Sequence, residues 1–364
     1  MRLFQNAGMY PSYLPRLDRL AVGAHDFRSR LDVFLADRYG ACHHLLPVLQ
    51  RDPDAFFTNA DDELLQRAWA REHGMKADAT LEEILLAQLE HHRTEVFYNS
   101  DPMRFGNAFL RKLPGSVRKS IAWRSAPSAG GEFGDYDLIV CNFPGIIQGY
   151  RDQGWRSDLL DPAHDPEMDA YAARQDRPVD VLFVGGDSRH HQRRAGILEA
   201  VARLQDHRKV VFHLDQSRLT RLAESPAGRL LPPLAKHRRP KAIQAVSHEP
   251  VFGRDLYDAL SRAKIVLNAA VDMAGRERGN MRCFEALGCG ALMVSDEGIY
   301  PAGMENKATM LTYDDPQDAA AAIERVLAQP QDRARLAQAG HEMIRSRYSK
   351  AAQWARFQQL AGVA

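Results

Sequence analysis

Glu277-Arg-Gly-Asn-Met-Arg-Cys-Phe-Glu285-Ala-Leu-Gly-Cys-Gly290-Ala-Leu-Met-Val-Ser-Asp296 is the stretch on which the reading of the fold turns. Asn280 is placed to cap a helix starting near Met281. Gly288 and Gly290 end that helix, and Ala291 to Ser295 reads as a short buried strand. A helix N-terminus carries free backbone N–H groups and partial positive charge, which suits a phosphate. Arg282, in the first turn, can add a fork of donors to the same anion. Glu285 lies further along, where a carboxylate can accept from paired sugar hydroxyls. On one continuous helix Glu277 and Glu285 would be ~12 Å and roughly 80° apart, so Glu277 belongs to the loop before the helix. The stretch can therefore hold a phosphate, a ribose and a second sugar in a row. The competing reading is a plain capped helix between two strands, with Glu285 on its wet face.

The remainder of the chain sets this stretch in context. At 364 residues it exceeds the usual single-core size, which predicts two domains. Hydrophobic content of 45% and charged content of 26% are ordinary for a globular protein. A formal net charge of +1 gives no support for a nucleic-acid partner. Cys42, Cys141, Cys283 and Cys289 lack paired metal spacing and read as free thiols in a reducing cytoplasm. The N-terminus lacks a signal-peptide core, and no apolar run approaches the ~20 residues that span a bilayer, leaving only peripheral membrane contact open.

In the first half, Arg2 to Ala7 reads as a strand running into the turn-rich Gly8-Met-Tyr10-Pro-Ser-Tyr13. Apolar spacing predicts one helix over Leu17 to Tyr39, with further helices over His43–Leu49, Asp61–His73 and Thr80 to about His92, the last opened by a capping box. The doublets His43/His44 and His91/His92 read as solvated surface, because adjacent histidines on a helix point apart. Thr94 to Pro102 reads as a strand ending in a polar turn. Ligands in open α/β sheets bind beyond the carboxyl ends of strands, which marks Asn99 and Asp101; Asp101 before Pro102 equally suits a plain turn. Ser120–Arg124 and Asp137–Asn142 read as strands, and Phe143 begins a helix that Gly154 ends. Strands alternating with helices indicate a parallel sheet.

The polar stretch from Asp161 to Pro178 is the domain boundary. The alternation then restarts with a strand at Val179–Val184, a glycine turn at Gly185-Gly186-Asp187-Ser188 and a helix from His190 to Leu204. These glycines can bring backbone amides to a diphosphate, with Arg193 or Arg194 nearby, although the full dinucleotide fingerprint is absent. Lys209–Leu214, Ala242–Val246, Lys264–Asn268 and Thr309–Tyr313 read as strands, and Asn268 ends its strand close to the organising loop. Phe252-Gly253 opens a helix. The basic run Lys236-His-Arg-Arg239 reads as surface, with contact to an acceptor phosphate as the lesser alternative. Two amphipathic helices follow from Pro316, and Trp354 and Phe357 sit in a last one that can pack back across the hinge.

From Val251 to about Tyr348 the chain resembles the spore-maturation CgeB-type glycosyltransferases. The pieces that carry this are Phe-Gly-Arg-Asp-Leu-Tyr257, Ala-Lys-Ile-Val-Leu-Asn268, Gly-Asn-Met-Arg-Cys-Phe-Glu-Ala-Leu-Gly-Cys-Gly290 and Tyr-Asp-Asp-Pro316, joined by Val-Leu-Phe-Val-Gly-Gly186 and His-Asp-Pro-Glu167. The two carboxylates Glu277 and Glu285 ahead of a Gly-x-Gly also resemble the nucleotide-sugar site of retaining GT-B enzymes. The resemblance implies an α/β GT-B fold of two Rossmann-like domains facing across a cleft. Residues 1–166 would bind the acceptor, with helix 349–364 packing back on them, and residues 167–348 would bind a nucleoside diphosphate sugar. It implies that Glu285 holds the ribose, while Asn280 and Arg282 with their helix N-terminus hold the diphosphate; Met281, Gly185, Gly186, Arg193 and Asn268 complete the expected donor-binding set. Gly253 would lie against the base, Glu277 near the donor sugar, and Gly8, Tyr10 and Asn99 on the acceptor side. The implied chemistry is metal-independent transfer to a glycan, lipid-linked or protein acceptor, with no cofactor and retention slightly favoured; Asp101 as a base would suit inversion. A sugar-nucleotide epimerase of the same fold and a non-catalytic glycan- or partner-binding scaffold are the alternatives.

Overall fold

The computed structural model describes residues 1–186, 192–269 and 275–362. The chain forms two compact units, Met1–Ala163 with Tyr348–Ala364, and His164–Arg347. Unit 1 runs β1 (Leu3–Ala7), α1 (Leu14–Leu20), α2 (Phe27–Asp37), α3 (Leu46–Gln50), β2 (Ala55–Asn59), α4 (Glu63–Glu72), α5 (Leu81–His91), β3 (Val96–Asn99), α6 (Asn107–Leu110), β4 (Lys119–Trp123), β5 (Leu138–Cys141), α7 (Pro144–Asp152) and β6 (Ser157–Leu159). Its strands pair in parallel in the order β2-β1-β3-β4-β5-β6.

Unit 2 runs α8 (Met168–Ala172), β7 (Val179–Gly186), α9 (Gln192–Ala202), β8 (Val210–Asp215), α10 (Arg218–Glu224), α11 (Pro226–Arg229), α12 (Lys241–Val246), β9 (Ser247–His248), α13 (Gly253–Ser261), β10 (Ala263–Asn268), α14 (Met281–Gly288), β11 (Leu292–Asp296), β12 (Leu311–Tyr313), α15 (Pro316–Leu327) and α16 (Pro330–Arg347). The sheet is again parallel, in the order β12-β11-β10-β7-β8-β9. Chain order therefore reverses between β7 and β10, as in a doubly wound dinucleotide-binding sheet. The chain closes with α17 (Lys350–Ala361) in unit 1.

Buried strands with apolar side chains on both faces build each core. In unit 2, Phe183, Phe212, Ile265 and Val294 pack against Ile197 of α9 and Ile323 of α15. In unit 1, Phe357 of α17 is fully buried and meets the Tyr98 ring at 5.0 Å. Burying one such aromatic side chain contributes about 2–3 kcal/mol. The Lys350 ammonium fastens the start of the same helix, donating to the carbonyls of Ala41 (2.7 Å), Cys42 (3.1 Å) and His44 (2.7 Å).

Several expectations are corrected. The helix expected over Leu17–Tyr39 is two: Gly23 takes φ +88°, and Asp26 caps a fresh start by accepting from the Ser29 amide at 2.8 Å. That expected over His43–Leu49 is a 3-10 turn at Ala41–His43 followed by α3, because His44 is extended. Ala242–Val246 is helix, not strand: Pro240 precedes it, and Ile243 and Val246 bury one face three residues apart. Each histidine doublet is surface at one of its two rings at most: His91 is exposed as expected and His43 is half-buried, but their neighbours are not surface. His44 is 2% exposed against Phe34 and Phe57, and His92 is 6% exposed, its Nε2 3.1 Å from the Leu3 carbonyl oxygen. Within the basic run only Lys236 is freely exposed; Arg239 is buried in an ion pair with Glu224 at 2.6 Å. The polar stretch after Asp161 contains α8. The expected glycine-turn residues Asp187 and Ser188, and the start of the helix expected from His190, lie outside the described residues.

Candidate functional site

In unit 2 the carboxyl ends of β7 and β10 bring Gly185-Gly186 and Asn268-Ala269 to the point where strand order reverses. Arg194 ties these ends together. Its Nη1 donates to the Gly186 carbonyl at 3.1 Å and its Nε to Ala269 at 2.9 Å, with the guanidinium over the Phe183 ring. Arg193 is exposed and donates to the Asp314 carbonyl at 3.0 Å, beyond the end of β12. Parallel pairing puts the Gly253 end of α13 on this same sheet edge; Gly253 takes φ +57°, which favours glycine.

Asn268 is the node of a polar cluster. Its Nδ2 donates to Ser295 Oγ at 2.9 Å, its Oδ1 accepts from Asn280 Nδ2 at 3.0 Å, and its carbonyl accepts from the Tyr313 hydroxyl at 2.7 Å. Tyr300 adds its hydroxyl to Ser295 at 2.6 Å. Burial pushes the Cys283 thiol up to about 12, so it stays protonated and donates to Asn280 Oδ1 at 3.0 Å. Asn280 holds the N-cap position as expected, but its side chain is spent on this cluster and caps no amide. The Cys283 amide is taken by the Asn280 carbonyl at 2.9 Å, and the Met281 and Arg282 amides of the first turn are held in place with no side chain among the described residues accepting from them.

The loop before α14 is braced by a buried ion pair. Arg278 Nε meets Asp296 Oδ2 at 2.6 Å, and Arg278 Nη1 donates to the carbonyls of Gly275 (2.7 Å) and Glu277 (3.0 Å). A bridge between Glu277 and Ile299 joins this loop to the segment after β11. Gly298 permits it, since a Cβ there would sit 2.5 Å from the Arg276 carbonyl oxygen. Glu277 is half-buried and precedes the helix, as its spacing requires.

Glu285 is not on a wet face. It is 3% exposed, and its Oε2 accepts from Arg282 Nη1 at 2.7 Å. Burial raises its carboxyl, and the Arg282 charge works against that rise. Arg282 Nε is itself buried with no hydrogen-bond partner among the described residues. So Arg282, expected to present its whole fork to an anion, holds Glu285 with one arm and keeps one donor unused. Gly288 is the last helical residue and Gly290 takes φ +70° beyond it. A Cβ at Gly288 would sit 2.4 Å from Met168 Sδ, so glycine lets α8 pack there.

In unit 1 chain order reverses between β1 and β3, whose carboxyl ends carry Gly8 and Asp101. A Cβ at Gly8 would lie 3.5 Å from Asp61 Oδ2 and 3.7 Å from Asp101 Cβ, so the three converge. Asp61 accepts from the Met9 amide at 3.1 Å and pairs with Arg104. Burial, then the Asp61 charge, raises the Asp101 carboxyl above its ordinary range. Tyr10 is 62% exposed with its amide on the Tyr39 hydroxyl. Asn99 is fully buried: its Oδ1 accepts from Asn6 Nδ2 at 2.9 Å and its Nδ2 donates to the Tyr136 hydroxyl at 2.7 Å.

Arg278, Asp296, Ser295, Tyr300 and Asp61 carry no motif of their own in the sequence. The only available signal was that Ser295-Asp296 ends a buried strand. No group of three His, Cys, Asp or Glu suited to a metal occurs among the described residues. Two Asp-x-Asp triplets are present, but Asp137 accepts from Ser120 and Asp52 from the Asp54 amide. No helix among the described residues is long and apolar enough to cross a membrane.

Residues 189–359 match the family model described as glycosyl transferase-like. No curated protein matches the chain. Among solved structures, HepE of Anabaena in complex with UDP and glucose is similar at 11% identity and TM-score 0.60, covering 100% of both chains. A glycosyltransferase of Rickettsia africae is similar at 9% identity and TM-score 0.56, over 99% of this chain and 97% of that one. TarM of S. aureus, in a complex containing UDP, is similar at 12% identity and TM-score 0.55, over 77% of this chain and 59% of that one. At such identities the likeness speaks for architecture, and the architecture of this chain is the GT-B fold, two Rossmann-like units each built on a parallel sheet.

Proposed function

We propose that the chain is a glycosyltransferase that moves a sugar from a nucleoside diphosphate sugar to a glycan, lipid-linked or protein acceptor. The observation that carries this reading is the polar cluster around Asn268, which holds the first turn of α14 uncapped where strand order reverses. Free amides and a helix dipole at that place suit a diphosphate. The unused Arg282 donor would add to it, and Glu285, whose buried carboxylate is held by Arg282, is the group we assign to the ribose hydroxyls. The match of residues 189–359 to a glycosyl transferase-like model and the UDP bound by HepE and TarM support the choice of donor. Kinship with CgeB-type enzymes is part of the proposal.

In this account the leaving diphosphate is stabilised by first-turn amides and Arg282, without a metal or other cofactor. Glu277 stands near the donor sugar, and the Glu277/Glu285 pair favours retention. Asp101, beside Gly8 on the acceptor-binding unit, is the group able to take a proton from the acceptor, which would serve inversion. The four buried free thiols suit a reducing cytoplasm. Nucleoside diphosphates at ~100 times their Kd should stabilise the donor unit by about 2.7 kcal/mol, read as a thermal shift. No shift with any nucleotide refutes the reading. Turnover of the nucleotide sugar without an acceptor would replace it with the epimerase.

A further inference from the structure

Between β8 and α12 the chain builds a small knuckle from α10, α11 and a 3-10 turn at Pro232–His237. It is well constructed. Arg238 donates to the carbonyls of Ala223, Gly228 and Leu231, and Arg239 closes on Glu224. Gly228 packs so tightly that a Cβ would overlap the Leu222 carbonyl at 1.8 Å. Yet this braced segment turns its large apolar side chains outward: Leu230 is 83% exposed, and Leu219, Leu222 and Leu231 are each 51% exposed. Leu219 and Leu222 share a helix face at three-residue spacing, while Ala223 points in.

Its charge is as one-sided as its surface is apolar. Residues 217–241 hold seven Lys or Arg and one carboxylate, Glu224, in a chain whose net charge is +1. Glu224 is taken by Arg239. Arg218, Arg221, Arg229, Lys236 and Lys241 are exposed, and none forms an ion pair with a described carboxylate. Outward leucines ringed by unpaired cations match an anionic lipid surface, with leucines entering the headgroup boundary and cations meeting its phosphates. We propose that this knuckle docks the protein on an anionic bilayer. The proposal stands whether or not the glycosyltransferase reading does.

The test is co-flotation of the full chain with vesicles of phosphatidylcholine alone or with ~30% phosphatidylglycerol. The expected result is binding to the anionic vesicles only, weakened as salt rises. Each cation near the surface is worth roughly fivefold in partitioning, so Arg218→Gln, Arg221→Gln and Lys236→Gln together should lower it ~100-fold. Leu230→Ser with Leu231→Ser should abolish it. All these side chains are exposed, so the melting temperature and nucleotide protection should hold, which separates lost docking from lost folding. Absence of binding, equal binding to neutral vesicles, or binding untouched by both variants overturns the proposal. So does lipid-free self-association that the leucine variant removes, which would assign the face to a second copy.

Discussion

Replacing Arg278 with methionine tests how the loop ahead of α14 is held. The guanidinium and Asp296 are both buried, 2.6 Å apart, and the Arg278 side chain also serves the carbonyls of Gly275 and Glu277. Methionine keeps much of the volume but takes away the cation that pairs with the buried Asp296 carboxylate. Breaking a buried pair on one side costs about 3–5 kcal/mol. A unit the size of His164–Arg347 loses about 2–4 °C of melting temperature per kcal/mol, so its transition should fall by about 6–20 °C. Asp296→Asn in the same background removes the buried charge that has lost its cation and should recover a large part of that loss. Differential scanning calorimetry of the wild type, both single variants and the double variant closes the cycle. At temperatures where Arg278→Met remains folded, nucleotide affinity should also fall, because the loop presents the helix start. Additive losses, or a shift under 2 °C for Arg278→Met, would refute the brace.

Other expectations follow from particular contacts. Glu285→Gln keeps a shape that fits but weakens the hold of Arg282 and of a ribose; UDP affinity measured by calorimetry should drop roughly tenfold or more, with uridine affected as strongly. Asp61→Asn removes the charge that lifts the Asp101 carboxyl and frees Arg104, so the acid limb of the pH–rate profile should move to lower pH; an unmoved limb would exclude Asp101 as the base. Lys350→Ala removes a buried ammonium that donates to three carbonyls, of which Ala41 keeps the His44 amide and Cys42 keeps the Ala163 amide and Gln353; it should destabilise unit 1 by about 3 kcal/mol, with unit 2 and nucleotide protection unchanged. Phe357→Ala should cost unit 1 about 3–5 kcal/mol, read as the same selective loss in melting.

Legibility tracked burial. Strands β3, β4, β5, β7, β10 and β11 are short apolar runs between turn residues, and their position shows in composition alone. Of the edge strands only β12, read at Thr309–Tyr313, shows in this way. Ala55–Asn59 buries only its latter part, Ser157–Leu159 is short and polar, and β9 is two residues long. Ala242–Val246 misled because a run of that length has no period to separate strand from helix. The start of α14 was readable from Asn280 and Met281. The use of Asn280 was not: its partner Asn268 stands twelve residues earlier at a strand end, and pairing of that kind exists only once the sheet is assembled. Arg278 and Asp296 are hidden in the same way, eighteen residues apart across a helix and a strand. The burial of Glu285 could not be read, because an isolated helix gives no sign of which face its neighbours will cover; here the polar residue is buried beside its own Arg282, against the competing wet-face reading.

The account rests most on where a diphosphate would bind. Crystals soaked with UDP, or a nitrogen-labelled protein titrated with it, address this directly. The expected result is the pyrophosphate at the amides of Met281 and Arg282 with the ribose at Glu285. UDP bound elsewhere, or no perturbation of those two amides at saturating UDP, would contradict it.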